Sequence, residues 1–263
     1  MILRELLKRV AEGSLSIEEA ERQIRLLAIE EIAGMLRLDV GRELRKGAPE
    51  IVMGEYKDSS QFEAAIRSLV EKSGRAIASR LREEHIKVLE KLKSEGYSAT
   101  LSISQRVAVV KKEGYRTPKS GGRVGIVAAG TADVPIADEV KLIVEELGCD
   151  TVILYDVGIA GLHRALNAAK KIIEGDVDVV VAIAGMEGAL PSVLASLLDV
   201  PVIGLPISTG YGLGGGGIAA LLSMLQSCSP GLLVVNIDNS VGAAVAAALM
   251  ANRVAKFKCG GQT

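Results

Sequence analysis

Two patterns of apolar and polar positions divide the chain. Up to about residue 120, apolar residues recur three and four positions apart among many charges, the spacing of amphipathic helices. Ser16-Ile17-Glu18-Glu19 has the form of a capping box and opens a helix predicted to run through Met35. Helical spacing returns over 60–72 and 81–92, while short apolar runs at 51–53, 76–78 and 107–110 predict strands. A small, mostly helical α+β domain is therefore expected over 1–120. Residues 114–122 concentrate Gly, Pro, Ser, Lys and Arg as an exposed linker does, which puts the predicted boundary there and leaves 121–263 as the second domain.

Beyond the linker the pattern becomes apolar run, glycine-bearing turn and amphipathic stretch, five times over. Strands are predicted at 124–128, 151–155, 177–183, 202–205 and 232–237, each nearly continuously apolar, as strands covered on both faces must be. Helices follow them at 136–147, 162–174, 190–198, 216–226 and 241–253. This alternation predicts a five-stranded parallel sheet in a flavodoxin-like, three-layer α/β domain.

In a parallel sheet all strands end at one edge, so turns scattered in sequence meet in space. Gly130-Thr131-Ala132-Asp133 lets the backbone approach a ligand, and Pro135 opens a helix whose positive end faces the same point. A phosphate or carboxylate is expected there; the plain alternative makes Thr131 or Asp133 a helix cap. His163-Arg164 begins the helix after the second strand, where the macrodipole does not favour a cation, so an anionic substrate or Asp156 should be its partner; the plain alternative is an exposed histidine without a role. Glu187, between Gly185 and Gly188, suits a general acid or base, with a solvated loop carboxylate as the equal alternative. Ser208 and the glycines from Gly210 to Gly217 include a literal G-x-G-x-x-G, but a glycine run satisfies almost any glycine pattern. This segment reads better as a loop against a ligand, Gly214 and Gly215 included. Cys228 lies in a helix-to-strand turn, at the opposite edge, and is expected to be remote from that site within one subunit.

Composition narrows the chemistry. With 49% hydrophobic residues, only 3% aromatic and no Trp, the core must be aliphatic and alanine-rich. A net charge of -1 and basic clusters as short as Lys111-Lys112 argue against nucleic acid as a partner. The charged, amphipathic opening is not a signal peptide, and no run approaches the roughly 20 apolar residues of a membrane span, so a cytoplasmic protein without membrane contact is expected. Cys149, Cys228 and Cys259 are odd in number and widely spaced, which argues against a disulfide framework or zinc knuckle and leaves at least one available as a thiol.

Together the strand-end residues resemble the PurE type of aminoimidazole ribonucleotide carboxylase. That pattern has glycine-hydroxyl-acid, then His-Arg, then Ala-Gly and Leu-Pro; here these are Gly130-Thr131-Ala132-Asp133, His163-Arg164, Ala184-Gly185 and Leu190-Pro191. Glu187, the loop 208–217, and Cys228 before Pro230-Gly231 depart from it and look like the LarB family, whose N-terminal extension is matched by Arg42-Glu43 and Gly47-Ala48-Pro49-Glu50. The resemblance implies a PurE-like catalytic domain that adds a second carboxyl, from CO2 or bicarbonate, to the pyridinium ring of nicotinic acid adenine dinucleotide. The products would be AMP and pyridinium-3,5-biscarboxylic acid mononucleotide, in nickel-pincer nucleotide biosynthesis. It further implies Cys228 as nucleophile, with Glu187, His163 and Asp133 in catalysis and Gly130, Thr131, Arg164, Gly185, Gly188, Ser208, Gly214 and Gly215 binding substrate. Mg²⁺ or a similar cation would accompany the phosphates, with Asp133 as a candidate ligand. A homo-oligomer is implied, an octamer by family analogy, in which Cys228 enters a neighbour's site. The alternatives are PurE-like carboxyl migration on an aminoimidazole nucleotide, which needs no thiol, and a non-catalytic nucleotide-sensing or assembly module.

Overall fold

The computed structural model describes residues 2–27 and 42–260, in two compact units, Met1–Glu50 and Ile51–Thr263. The first contains α1 (Ile2–Ala11), α2 (Ile17–Leu27) and α3 (Arg42–Lys46). Ser16 Oγ accepts from the Glu19 amide at 3.1 Å, so the predicted cap forms. The end of that predicted helix, 28–35, lies outside the described residues.

The second unit opens with a four-stranded sheet of β1 (Ile51–Met53), β2 (Arg75–Ser79), β3 (Ser98–Leu101) and β4 (Val107–Lys111), in the order β1-β2-β4-β3. β1 runs parallel to β2, and β4 is antiparallel to both its neighbours. Two helices, α4 (Ser59–Ser73) and α5 (Glu83–Ser94), connect the strands and bury Phe62, Ile66, Leu89 and Leu92. α4 starts where Asp58 Oδ1 accepts from the Gln61 amide at 2.8 Å. It stops at Gly74, whose φ of 77° turns the chain into β2.

The five-stranded sheet contains β5 (Arg123–Ala128), β6 (Asp150–Leu154), β7 (Val179–Ala184), β8 (Val202–Pro206) and β9 (Leu232–Val234), all parallel, in the order β6-β5-β7-β8-β9. The helices are α6 (Val134–Glu146), α7 (Leu162–Glu174), α8 (Leu190–Ala195), α9 (Ile218–Leu225) and α10 (Ser240–Gly260). This is the α/β architecture expected from the alternation. β7 is buried along its whole length, which explains its unbroken Val-Val-Val-Ala-Ile-Ala. Small side chains on α10, including Ala243, Ala247 and Ala251, are fully buried and let that helix lie close to the sheet and α6.

The two sheets meet across a charged seam. Arg75 Nη1 lies 3.0 Å from Glu146 Oε1 at the end of α6, and both side chains are at least 95% buried. Lys111 approaches the same carboxylate at 2.5 Å, and Thr117 donates to it at 2.8 Å. The Gly/Pro-rich stretch before β5 is thus tied down: Thr117 joins the seam and Ser120 bonds the Gly148 carbonyl through both its amide and its hydroxyl. Among the described residues no helix is long and apolar enough to cross a membrane.

Candidate active site

The C-terminal ends of β5, β7 and β8 surround a cavity of about 480 Å³, lined by Gly130, Asp133, Gly158, Gly185, Glu187 and Tyr211 among others. A second hollow of about 100 Å³ adjoins it and is lined by Ser208, Gly214 and Gly215; Met186, Thr209, Gly210 and Tyr211 face both. The convergence expected of a parallel sheet brings these residues together.

After β5 the chain makes a single 3-10 turn, Thr131–Asp133, before α6 begins with Pro135 in its first turn. Asp133 is buried, and its Oδ2 accepts from the Gly130 amide at 2.8 Å. It therefore closes its own glycine turn and makes no side-chain cap on α6. Burial pushes the Asp133 carboxyl above the usual carboxylate range, while the amides of Gly130 and Ala129 pull it back.

The turn after β7 needs both its glycines. A Cβ on Gly185 would collide with the Thr209 carbonyl oxygen, so only glycine lets the two walls touch. Gly188 has φ 64°, and a Cβ there would come within 2.7 Å of the Ala220 backbone of α9. Gly188 thus stands behind the cavity wall and contributes shape. Between them Met186 holds φ 49°, a conformation rare for an unbranched apolar residue, and Glu187 faces the cavity from an exposed position.

Other expected residues sit outside the lining. Thr131, His163 and Arg164 are exposed and do not border either hollow. Arg164 instead meets Asp156 at 2.8 Å, the alternative partner foreseen for it. Both side chains are about half exposed, so the pair is worth no more than about 1 kcal/mol and leaves the guanidinium recruitable. Ser208 donates its amide to Asp238 Oδ1 at 2.9 Å, which ties the glycine loop to the turn after β9. Met186 and Tyr211 were not anticipated. No pattern rule points to a methionine in the left-handed region, and an exposed loop tyrosine carries no periodic signal.

Among the described residues the cavity lining carries two carboxylates, Asp133 and Glu187, and no basic side chain. Such a hollow favours a cationic group over a bare phosphate. Among the described residues no three His, Cys, Asp or Glu side chains gather to hold a metal, and one oxygen of Asp133 is already engaged by the Gly130 amide.

The two thiols with described side chains differ. Cys149 is buried, and burial pushes it up to about 11, so it stays protonated at neutral pH. Cys228 is exposed, in the turn from α9 to β9, whose neighbour Gly231 bonds the start of β8. That edge is opposite the cavity, as the topology required.

A family model described as AIR carboxylase matches residues 123–258, and one described as the LarB/PurE-like N-terminal domain matches 29–111. An uncharacterized protein of Methanocaldococcus jannaschii is 45% identical over 256 residues, which is 95% of this chain and 96% of that protein. The N5-carboxyaminoimidazole ribonucleotide mutase of Pyrococcus horikoshii is 38% identical over 47% of this chain and 69% of its own. That of Thermotoga maritima is 33% identical over 48% and 72%.

Proposed function

Because the chain belongs to the LarB/PurE-like family, with an AIR carboxylase domain behind a LarB/PurE-like N-terminal domain, we propose that it is a LarB-type carboxylase and hydrolase acting on nicotinic acid adenine dinucleotide. The observation that carries this reading beyond a general nucleotide carboxylase or mutase is the acidic cavity: Asp133 and Glu187 face a space to which no basic side chain among the described residues contributes. A pyridinium ring is a flat cation and suits that space, whereas the substrate's phosphates suit the amides of the glycine loop.

The chemistry follows from residue types. A pyridinium ring cannot itself attack carbon dioxide. Addition of the Cys228 thiolate at C4 forms a C–S bond and moves an electron pair onto the ring nitrogen, giving a neutral dihydropyridine. Its C5 is then enamine-like and attacks carbon dioxide, forming the new C–C bond. Loss of the C5 proton and expulsion of the thiolate restore the aromatic ring. Glu187 is the better proton acceptor, since it faces the cavity and His163 does not. Water then cleaves the phosphoanhydride to release AMP and the dicarboxylated mononucleotide. Mg²⁺ enters this proposal only as a companion of the diphosphate, and no step is assigned to it.

Cys228 reaches the ring from a neighbouring copy. Ile218, Leu222 and Leu225 form an exposed apolar stripe on α9, immediately before Cys228, and exposed Leu233 of β9 follows it. A stripe of this kind supports a homo-oligomer, proposed as an octamer, that buries α9 and carries the thiol to another subunit's cavity.

The test is incubation with nicotinic acid adenine dinucleotide, bicarbonate and Mg²⁺, read by mass spectrometry. AMP and a product one carboxyl heavier are expected, with carboxylation abolished in Cys228→Ala. The similarity to N5-carboxyaminoimidazole ribonucleotide mutases favours a second reading, carboxyl migration on an aminoimidazole nucleotide. Turnover of that nucleotide by both wild type and Cys228→Ala would select it. Nucleotide binding without any turnover would select a sensing module.

A further inference from the structure

We infer that Glu139 is a positioning residue through which the four-stranded sheet holds both walls of the cavity, an inference that rests on reading that cavity as the active site. Glu139 lies on α6, about two turns beyond Asp133, and is 4% exposed. Its Oε1 accepts from Ser104 Oγ at 2.6 Å, in the turn between β3 and β4. Its Oε2 accepts from Ser240 Oγ at 2.5 Å, at the start of α10. Ser240 follows Asp238 by two residues, and Asp238 secures the glycine loop through Ser208 while its own amide bonds the Pro206 carbonyl. A parallel link joins the same two segments, since Asp138 Oδ2 accepts from the Ile103 amide at 2.7 Å.

Among the described residues no cation pairs with Glu139, so its burial is offset only by the two hydroxyls. A carboxylate kept under such conditions is costly, and its geometry indicates the role it fills. Ionised, it only accepts, so both serines must point at it; a glutamine would accept from one and donate to the other. The β3–β4 turn, α6 with Asp133, and the turn that anchors the glycine loop are thereby fastened at one point. This gives the sheet of residues 51–111 a place in catalysis: it sets the gap between the Asp133 wall and the glycine-loop wall.

Amide hydrogen exchange on the full chain tests this without any substrate. Ser104→Ala and Glu139→Gln are expected to speed exchange in 208–217 and 130–134 about tenfold or more, with β7 unchanged. Ser104→Thr keeps the hydroxyl and should restore the wild-type rates. In the carboxylation assay the first two variants should lose about tenfold in kcat/KM. Exchange in 208–217 at the wild-type rate, or equally faster in β7, would overturn the inference. Should Glu139→Gln not fold, Ser104→Ala decides alone. If the wild type turns over no dinucleotide, the proposed function fails while the exchange rates still judge Glu139.

Discussion

Asp133 shows how one buried carboxylate sets stability against function. Its burial raises its pKa, with the Gly130 and Ala129 amides opposing, so folding favours the protonated form. The resulting stability is fully present below the unfolded value of 3.8 and is lost as pH rises through the higher folded value. Ionising the group therefore works against the fold. Asp133→Asn keeps an oxygen for the Gly130 amide and removes the charge. We expect thermal scans at pH 7 to give a Tm equal to or above wild type, the gain fading toward acid pH, while turnover falls about a hundredfold or more. A lower Tm at pH 7 would show that the charge itself stabilises the turn. The residue is legible in sequence as an acid after a glycine turn; its bond back to Gly130, in place of a helix cap, is not. That choice is made by the 3-10 turn, which points Oδ2 toward its own start.

At the scale of elements, the buried Glu146 at the end of α6 ties the two sheets together. Removing its side chain takes the shared carboxylate from two cations, Arg75 and Lys111, although Arg75 keeps the backbone carbonyl of residue 146, whereas removing Arg75 leaves Glu146 with Lys111 and Thr117. Glu146→Leu should therefore cost about 3–5 kcal/mol and Arg75→Met less, with the double variant recovering part of the loss. Urea midpoints at constant m-value measure this, and equal costs for the two single changes would refute the asymmetry. None of this seam is visible in the sequence, where Arg75 and Lys111 read as ordinary strand-end charges. The strands themselves were visible when buried: β7 and β8 are unbroken apolar runs. β3 was missed because Ser98-Ala99-Thr100-Leu101 is a half-exposed edge strand with little apolar contrast. β9 is shorter than its apolar run because beyond Val234 the chain makes only scattered bonds to β8, such as Val235 to Gly204. The cavity's glycines were legible because parallel topology gathers strand ends. The exclusion of Thr131, His163 and Arg164 from its lining was not, since it depends on side-chain direction after turns such as left-handed Asp156.

The whole molecule must reconcile an acidic cavity at one sheet edge with an exposed thiol at the other. No rearrangement within the five-stranded sheet brings them together, because β8 and β9 are locked in parallel register between the two edges. The reading proposed above resolves this only if cavity and thiol come from different copies, and that is testable without a structure of the assembly. Asp133→Asn spoils a cavity and Cys228→Ala spoils a thiol, so each variant alone should be inactive in carboxylation. When the two are dissociated, mixed in equal amounts and reassembled, a site made of an intact cavity from one copy and an intact thiol from its neighbour arises by chance in about one quarter of cases. Turnover should return to about that fraction of wild type. If thiol and cavity belonged to one chain, mixing would create no intact site and activity would stay at the level of the separate variants. Leu222→Glu adds a charge to the apolar stripe of α9 and should lower both the assembly size and the restored activity together. Loss of assembly with undiminished turnover would instead place the whole reaction inside a single subunit.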